Sequence, residues 1–114
     1  MTLARMPDIL TLTMNPALDI STAIDRVEPV HKLRCGQHQT HPGGGGINVA
    51  RVLHRLGSRV RAIYTAGGPL GRELSALLDA EGVPSQVVPI AGGTRERFSV
   101  FERCSGQDFR FVLP

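Results

Sequence analysis

The chain of 114 residues carries 13 Lys and Arg against 10 Asp and Glu, a formal net charge of +3, with 41% hydrophobic and 20% charged residues. This size and composition are typical of one small globular domain, and they exclude a disordered chain or a pair of independent domains. The arginines are scattered and aromatic residues are scarce, which argues against a nucleic-acid-binding protein, and no apolar run is long enough for a membrane span.

Two cysteines, Cys35 and Cys104, lie far apart without a CxxC or Cys/His ligand spacing, and the histidines show no metal-like pairing. The chain starts without a long apolar segment, so we expect a reduced, cytoplasmic protein. Met6 is an alternative to Met1 as the first residue, because Met1 to Arg5 fits no structural element.

The first predicted element is a buried strand over Asp8–Met14, DILTLTM, which is closed by Asn15-Pro16. The segments Ile20–Val27 and Lys32–Thr40 are more polar and only loosely patterned. We predict that they form an exposed hairpin around a turn at Glu28-Pro29.

The clearest predicted helix runs from Gly45 to Leu56, where apolar residues recur at helical spacing. Gly57 follows at the C′ position, where glycine commonly ends a helix. Arg51 and Arg55 are expected on the outer face of this helix.

After this helix, the pattern predicts a strand, a second helix, a short strand and a second hairpin. The ranges are Val60–Ala66, Gly71–Glu81, Gln86–Ile90 and the pair Arg97–Arg103 and Asp108–Leu113. The resulting βαβαβ order predicts an α/β fold with a parallel sheet, to which two polar hairpins are appended.

Four consecutive glycines, Gly43–Gly46, stand directly before the first predicted helix. Bare backbone allows a ligand to approach closely, and a helix N-terminus offers free amide groups to an anion. The nucleotide fingerprints do not fit, because GxxxxGK[ST] would need Lys at Ile47 and GxGxxG would need glycine at Asn48 or Val49. The alternative is that the glycines only allow strand and helix to pack tightly.

Polar residues around this run are candidate ligands for a phosphorylated sugar. Asp19 follows the first strand, where open α/β sheets bind ligands, although a turn or cap role fits equally well. Asn48 can both donate and accept hydrogen bonds to hydroxyls. Arg95 and Arg110 are candidate phosphate ligands and Lys32 is a similar one, whereas most charged side chains of these types are only solvated.

The segments TLTMNPALD, KLRCG, PGGGGINVAR, AGGPLG, TRERFSV and FRFVLP together resemble the N-terminal part of the PfkB (ribokinase-like) carbohydrate kinases, most closely the minor 6-phosphofructokinase branch. PGGGGINVAR with a downstream TR is specific, whereas NPALD is shared with 1-phosphofructokinases and tagatose-6-phosphate kinases. The resemblance implies an α/β sandwich with a small β-sheet lid, formed by strands at about 20–40 and 97–113. It also implies that the lids of two subunits pair into a homodimer.

For function, the resemblance implies that ATP with Mg²⁺ phosphorylates the 1-hydroxyl of fructose 6-phosphate to give fructose 1,6-bisphosphate. By matching position, Asp19 would hold sugar hydroxyls. The other implied ligands are Gly44, Gly45 and Asn48 for the sugar, and Lys32, Arg95 and Arg110 for its 6-phosphate.

The catalytic aspartate of this family belongs to a GAGD motif that residues 1–114 do not contain, so it is expected beyond residue 114. We therefore expect an acceptor-side portion of a sugar-phosphate kinase, from a natural truncation or a partial gene model, that is inactive alone. A stand-alone sugar-phosphate-binding module and a portion of a 1-phosphofructokinase or tagatose-6-phosphate kinase are the alternatives. A dinucleotide-binding domain would need an acidic residue at Tyr64–Gly68, which has none.

Overall fold

A computed structural model describes residues 6–114, and residues 1–5, on which the choice between Met1 and Met6 as the first residue depends, lie outside that range. The elements in chain order are β1 Ile9–Thr13, β2 Ala17–Ile24, β3 Gln39–Gly43, α1 Gly45–Arg55, β4 Val60–Ala66, α2 Gly68–Ala80, β5 Ser85–Pro89, β6 Arg95–Glu102 and β7 Gln107–Val112.

The first sheet is parallel throughout and has the strand order β1-β4-β5. The register pairs Thr11 with Ala62 and Thr13 with Tyr64, and these side chains are buried on one face. Helices α1 and α2 contact this sheet and form the crossovers between its neighbouring parallel strands. The predicted α/β fold with a parallel sheet is confirmed.

The hydrophobic core lies between this sheet and the two helices. Leu74 and Leu78 of α2 and Ile47 of α1 are fully buried against it. Tyr64 is 2% exposed, and its hydroxyl forms a hydrogen bond of 2.8 Å with Ser75 Oγ, so the polar end of this aromatic side chain is satisfied inside the core.

The second sheet has four strands in the order β3-β2-β6-β7. Strands β2 and β6 pair in parallel, with Asp19 opposite Arg97, and antiparallel β3 and β7 flank them. The two predicted hairpins thus combine into one sheet, which we call the four-stranded sheet. Polar residues of this sheet line a cavity beside the start of α1.

The predicted boundaries of the first hairpin are wrong. Strand β2 starts at Ala17 and its antiparallel partner is Gln39–Gly43, so the two strands are joined by a long connection with a turn at Pro29-Val30 and not by a tight hairpin. The connection over residues 25–38 is a loop, tied down where Gly36 N donates to Ala23 O at 2.9 Å. Proline is compatible with β3 because β3 is an edge strand of its sheet.

The prediction that Arg51 lies on the outer face of α1 is also wrong. Its side chain is 17% exposed and turns toward Glu81 at the end of α2. Val49, Val52 and Leu56 instead have exposed fractions of 51%, 54% and 75%. Arg55 also contacts Glu81, at 3.2 Å, but its side chain stays 67% exposed. Helical periodicity does not reveal a partner from so distant a part of the chain.

The longest helix in the described part of the chain is α2, with 13 residues. Over residues 6–114, none of the helices combines the length and the apolar character needed to cross a membrane.

Candidate functional site

Three of the four consecutive glycines are bare because the protein itself packs against them. A Cβ on Gly44 would lie 2.7 Å from Thr13 Cγ2, and one on Gly46 would lie 2.5 Å from Thr13 Oγ1. Gly44 also has a φ of 132°, which L side chains rarely adopt. A Cβ on Gly43 would collide with Asp19 and Arg97. At these three positions glycine allows neighbouring parts of the protein to pack tightly, which is the alternative to a ligand-binding role.

Gly45 is different. It is exposed, its φ lies outside the left-handed region, and a Cβ built on it would meet nothing within 4 Å. Since neither backbone conformation nor packing requires glycine here, its missing side chain leaves open space at the very start of α1.

The N-terminus of α1 is uncapped. Its N-cap residue is Gly44, which provides no side-chain hydrogen bond, and the first turn contains no acidic residue. The first helical hydrogen bond runs from Asn48 N to Gly44 O at 2.8 Å, so the preceding amides of the turn have no intrahelical acceptor. Such a terminus favours an oxygen-rich or anionic ligand.

Asp19 is gripped by an arginine from the neighbouring strand. Arg97 Nε donates to Asp19 Oδ1 at 2.7 Å, and Arg97 Nη2 donates to Asp19 Oδ2 at 3.0 Å. Both side chains are about one third exposed, so the pair lies at a surface that solvent or a ligand can reach.

The pair opens into a cavity of about 480 Å³ between the four-stranded sheet and the start of α1, which we call the cleft. The polar residues that line it are Asp19, Ser21, His41, Asn48, Arg51, Arg97, Ser99, Asp108 and Arg110. The structure therefore brings together three sequence-predicted site residues: Asp19, Asn48 and Arg110. Gly44 and Gly45 lie in the turn that leads to Asn48 but are not among the residues lining the cavity.

Two other sequence-predicted residues lie apart from the cleft. Arg95 donates through Nη2 to the Asn15 carbonyl oxygen at 3.2 Å and is not among the lining residues. Lys32 is exposed and lines a different cavity, together with Cys35 and Arg103. Their assignment to the sugar phosphate stays a prediction.

Arg51 and Arg97 line the cleft but were not among the residues predicted from the sequence. Arg97 follows Arg95 by two positions on the same strand, so it projects from the same face, but its partner is known only from the register of β2 and β6. Arg51 could have been noticed as an arginine one helical turn after Ile47. The signal for its partner Glu81, 30 residues away, does not exist in the local sequence.

The cleft carries three arginines and two aspartates. Arg51 is neutralised by Glu81, and hydrogen bonds from Arg51 lower the pKa of the Glu81 carboxyl, outweighing burial, which raises it. Arg97 pairs with Asp19, and Arg110 supplies a further cation from β7, two strands away from Asp19 in the same sheet. This arrangement suits a ligand with both hydroxyl and anionic groups.

Among residues 6–114, no three His, Cys, Asp or Glu side chains come together in a way that could hold a metal ion. Both oxygens of the Asp19 carboxylate accept from the cationic Arg97, which disfavours a second cation such as Mg²⁺ at this carboxylate.

The model of the pfkB family carbohydrate kinases matches residues 12–113, nearly the whole chain. The chain belongs to the pfkB family of carbohydrate kinases. This confirms the resemblance drawn from PGGGGINVAR and its neighbouring motifs.

Individual phosphofructokinases are also similar to this chain. The chain is 56% identical over 108 residues to an ATP-dependent 6-phosphofructokinase isozyme 2 of Mycobacterium tuberculosis, covering 95% of this chain and 32% of that protein. A 1-phosphofructokinase of Vibrio cholerae is 34% identical over 99 residues, covering 83% of this chain and 30% of that protein.

A crystal structure of phosphofructokinase-2 from Escherichia coli in complex with fructose-6-phosphate superposes with a TM-score of 0.89 at 44% identity. The match covers 96% of this chain and 36% of that one. The chain thus spans about a third of the length of the relatives it matches.

Proposed function

We propose that the cleft binds the phosphorylated acceptor sugar of an ATP-dependent 6-phosphofructokinase, and that this sugar is fructose 6-phosphate. The observation that carries the proposal is the convergence of Asp19, Asn48 and Arg110 on one cavity beside the uncapped start of α1. Hydroxyl-binding and phosphate-binding side chains are thereby present within a single volume of about 480 Å³.

In this proposal each residue has a separate task. The Asp19 carboxylate accepts hydrogen bonds from sugar hydroxyls, and Asn48 both donates and accepts. Gly45 allows the sugar to lie against the backbone amides at the start of α1. Arg110 binds the 6-phosphate through its guanidinium fork. Gly44 provides the backbone turn that places Gly45, and Lys32 and Arg95 are further proposed phosphate ligands on the strength of the resemblance alone.

ATP and Mg²⁺ take part in the proposed reaction as the phosphoryl donor and its metal ion. Among residues 6–114 no three His, Cys, Asp or Glu side chains form a metal-binding cluster, and residues 1–114 contain no GAGD sequence. Phosphoryl transfer depends on a metal ion, on positioning and on groups that stabilise the moving phosphoryl group. We therefore assign these 114 residues to the acceptor side of the reaction and expect no turnover from them alone.

A homodimer through the four-stranded sheet is also proposed. Its strand β7 is an edge strand, and Phe111 and Val112 on it have exposed fractions of 54% and 63%. An exposed apolar edge strand favours pairing with another chain. Sedimentation of the chain with Phe111→Glu, compared with the wild type, tests whether this edge carries the association.

The substrate choice is tested by titrating the purified 114-residue chain with fructose 6-phosphate, fructose 1-phosphate and tagatose 6-phosphate. Tightest binding of fructose 6-phosphate supports the proposal. Preference for fructose 1-phosphate would instead favour a 1-phosphofructokinase, for which the Vibrio relative provides the argument. A kinase assay of the same chain with ATP and Mg²⁺ is expected to show no turnover, and clear turnover would refute the assignment to the acceptor side.

A further inference from the structure

Arg97 crosses the four-stranded sheet above the residue that the proposed function assigns to the sugar. It projects from β6 and donates to both carboxylate oxygens of Asp19 on β2. Strand β2 lies between β6 and β3, yet a Cβ on Gly43 of β3 would collide with Arg97 Nη2. The guanidinium therefore extends over the full width of β2 and ends against the strand that leads into the glycines.

This contact explains why Gly43 is a glycine. Its φ does not require one, but the carboxylate and the guanidinium occupy the space of its side chain. Asp19 is thus enclosed by Arg97 on one side and by the bare backbone of Gly43 on the other. Three strands of the sheet each contribute one part of the arrangement.

The two hydrogen bonds from the Arg97 guanidinium fix the plane of the Asp19 carboxylate but leave some of its acceptor positions available. A bidentate guanidinium contact sets the orientation of both oxygens, whereas a single contact leaves the carboxylate free to rotate. A carboxylate offers about four acceptor positions, so two bonds from Arg97 leave room for sugar hydroxyls. Asp19 is about one third exposed, which keeps those positions within reach of a ligand.

We propose that Arg97 is a positioning residue: it holds the Asp19 carboxylate in one orientation, ready to accept hydrogen bonds from the hydroxyls of the acceptor sugar. The proposal rests on the proposed function of the cleft. In this proposal Arg97 affects binding of the sugar hydroxyls by orienting Asp19, whereas Arg110 contacts the phosphate group.

The test compares three ligands: fructose 6-phosphate, unphosphorylated fructose and inorganic phosphate. Binding to the purified 114-residue chain is followed by NMR titration for Arg97→Gln, Arg97→Lys, Asp19→Asn and the double variant Asp19→Asn/Arg97→Gln. Arg59→Gln is the matched control, because Arg59 also donates to both carboxylate oxygens of an aspartate, Asp8, at 3.1 and 2.7 Å, outside the cleft.

We expect Arg97→Gln to weaken fructose 6-phosphate and fructose by the same factor, about tenfold, and to leave inorganic phosphate unchanged. Arg97→Lys, with one contact in place of two, falls between wild type and Arg97→Gln. The double variant binds no more weakly than Asp19→Asn alone, because both substitutions remove one function. Arg59→Gln binds all three ligands like the wild type.

A loss confined to ligands that carry phosphate would make Arg97 a phosphate ligand and overturn the proposal, as would additive losses in the double variant. If Arg97→Gln does not fold in a melting experiment, Arg97→Lys provides the same comparison with the charge retained. Wild-type binding with an unchanged Arg97→Gln overturns the positioning role only. A wild-type chain that binds neither sugar overturns the proposed function and this proposal together.

Discussion

Arg51 and Glu81 form a two-point ion pair, with Nε 2.7 Å from Oε2 and Nη2 2.6 Å from Oε1. The remaining nitrogen, Nη1, donates to the Pro42 carbonyl oxygen at 3.3 Å, directly before the glycines. One side chain thus connects the end of α2, helix α1 and the strand that enters the cleft. We expect this pair to stabilise the structure around the proposed sugar site.

The first prediction concerns pH. Glu81→Gln is expected to lower the free energy of unfolding by about 1 kcal/mol at neutral pH, because it removes the negative charge and places an NH2 donor where one carboxylate oxygen accepted from Arg51. Arg51 lowers the pKa of Glu81 from its ordinary value of 4.5 in the folded chain, so the stabilisation is present above that value and is lost as the pH falls through the lowered folded pKa. Urea unfolding at a series of pH values measures the difference between the two chains.

The control is Glu73→Gln, which neutralises an exposed carboxylate on α2. We expect its stability to follow the wild type within about 0.5 kcal/mol at every pH. A Glu81→Gln difference that stays constant from neutral pH down to pH 3 would contradict the assigned role of the ion pair.

The second prediction separates two neighbouring glycines. Gly45→Ala places a methyl group in open space, so melting is expected to be unchanged, while fructose 6-phosphate binds about tenfold more weakly because the methyl group blocks the approach to α1. Gly46→Ala forces a contact with Thr13 Oγ1 and the Leu12 backbone, so it is expected to lower stability.

Calorimetric melting and ligand titration of both variants distinguish the two effects. A Gly45→Ala chain that melts normally and also binds normally would show that the bare backbone at this position does not face the ligand.

The third prediction assigns the phosphate. Arg110→Gln is expected to weaken fructose 6-phosphate about tenfold and to leave fructose unchanged, since only the phosphorylated ligand uses the guanidinium. This pattern is the reverse of the one expected for Arg97→Gln. The exposed Arg72 of α2, replaced by Gln, controls for the loss of one positive charge. Equal weakening of both ligands by Arg110→Gln would remove Arg110 from the phosphate site.

The fourth prediction concerns self-association. Leu10 and Leu12 on the edge strand β1 have exposed fractions of 60% and 64% and lie on the face of the sheet that α1 and α2 do not cover. Such a surface favours contact between copies. The double variant Leu10→Lys/Leu12→Lys is expected to lower the average mass in analytical ultracentrifugation, whereas Met6→Lys, outside the sheet, leaves it unchanged. An unchanged mass for the double variant would exclude this face as the cause of association.

The sequence predicted the elements whose pattern is local. Helical spacing indicated α1, and the apolar run indicated that β1 is a strand. The prediction that β1 is buried is wrong, because only Thr11 and Thr13 face the helices, and Leu10 and Leu12 are 60% and 64% exposed on the other face. Strand β3 was placed too early, since a strand that contains Pro42 and Gly43 looks like a turn until its edge position is known.

The same distinction applies to the site. Asp19, Asn48 and Arg110 could be proposed from residue type and motif, and the structure brings them to one cavity. The roles of Arg51 and Arg97 could not be predicted from the sequence. Arg51 depends on a partner 30 positions away and Arg97 on a partner 78 positions away, and only the fold brings these partners close. Arg95 and Arg97 are chemically equivalent in the sequence, and the register of β6 decides which of them reaches Asp19.

The central claim is that a hexose phosphate binds between the start of α1 and the four-stranded sheet. NMR mapping of the 114-residue chain with fructose 6-phosphate tests it most directly, with Asp19→Asn as the matched variant. We predict that the amide signals of Gly45, Asn48 and Asp19 and the Nε signal of Arg110 shift together with a single dissociation constant, and that Asp19→Asn raises this constant. Shifts confined to the surface around Arg103 and Cys35, or a dissociation constant that Asp19→Asn leaves unchanged, would contradict the account.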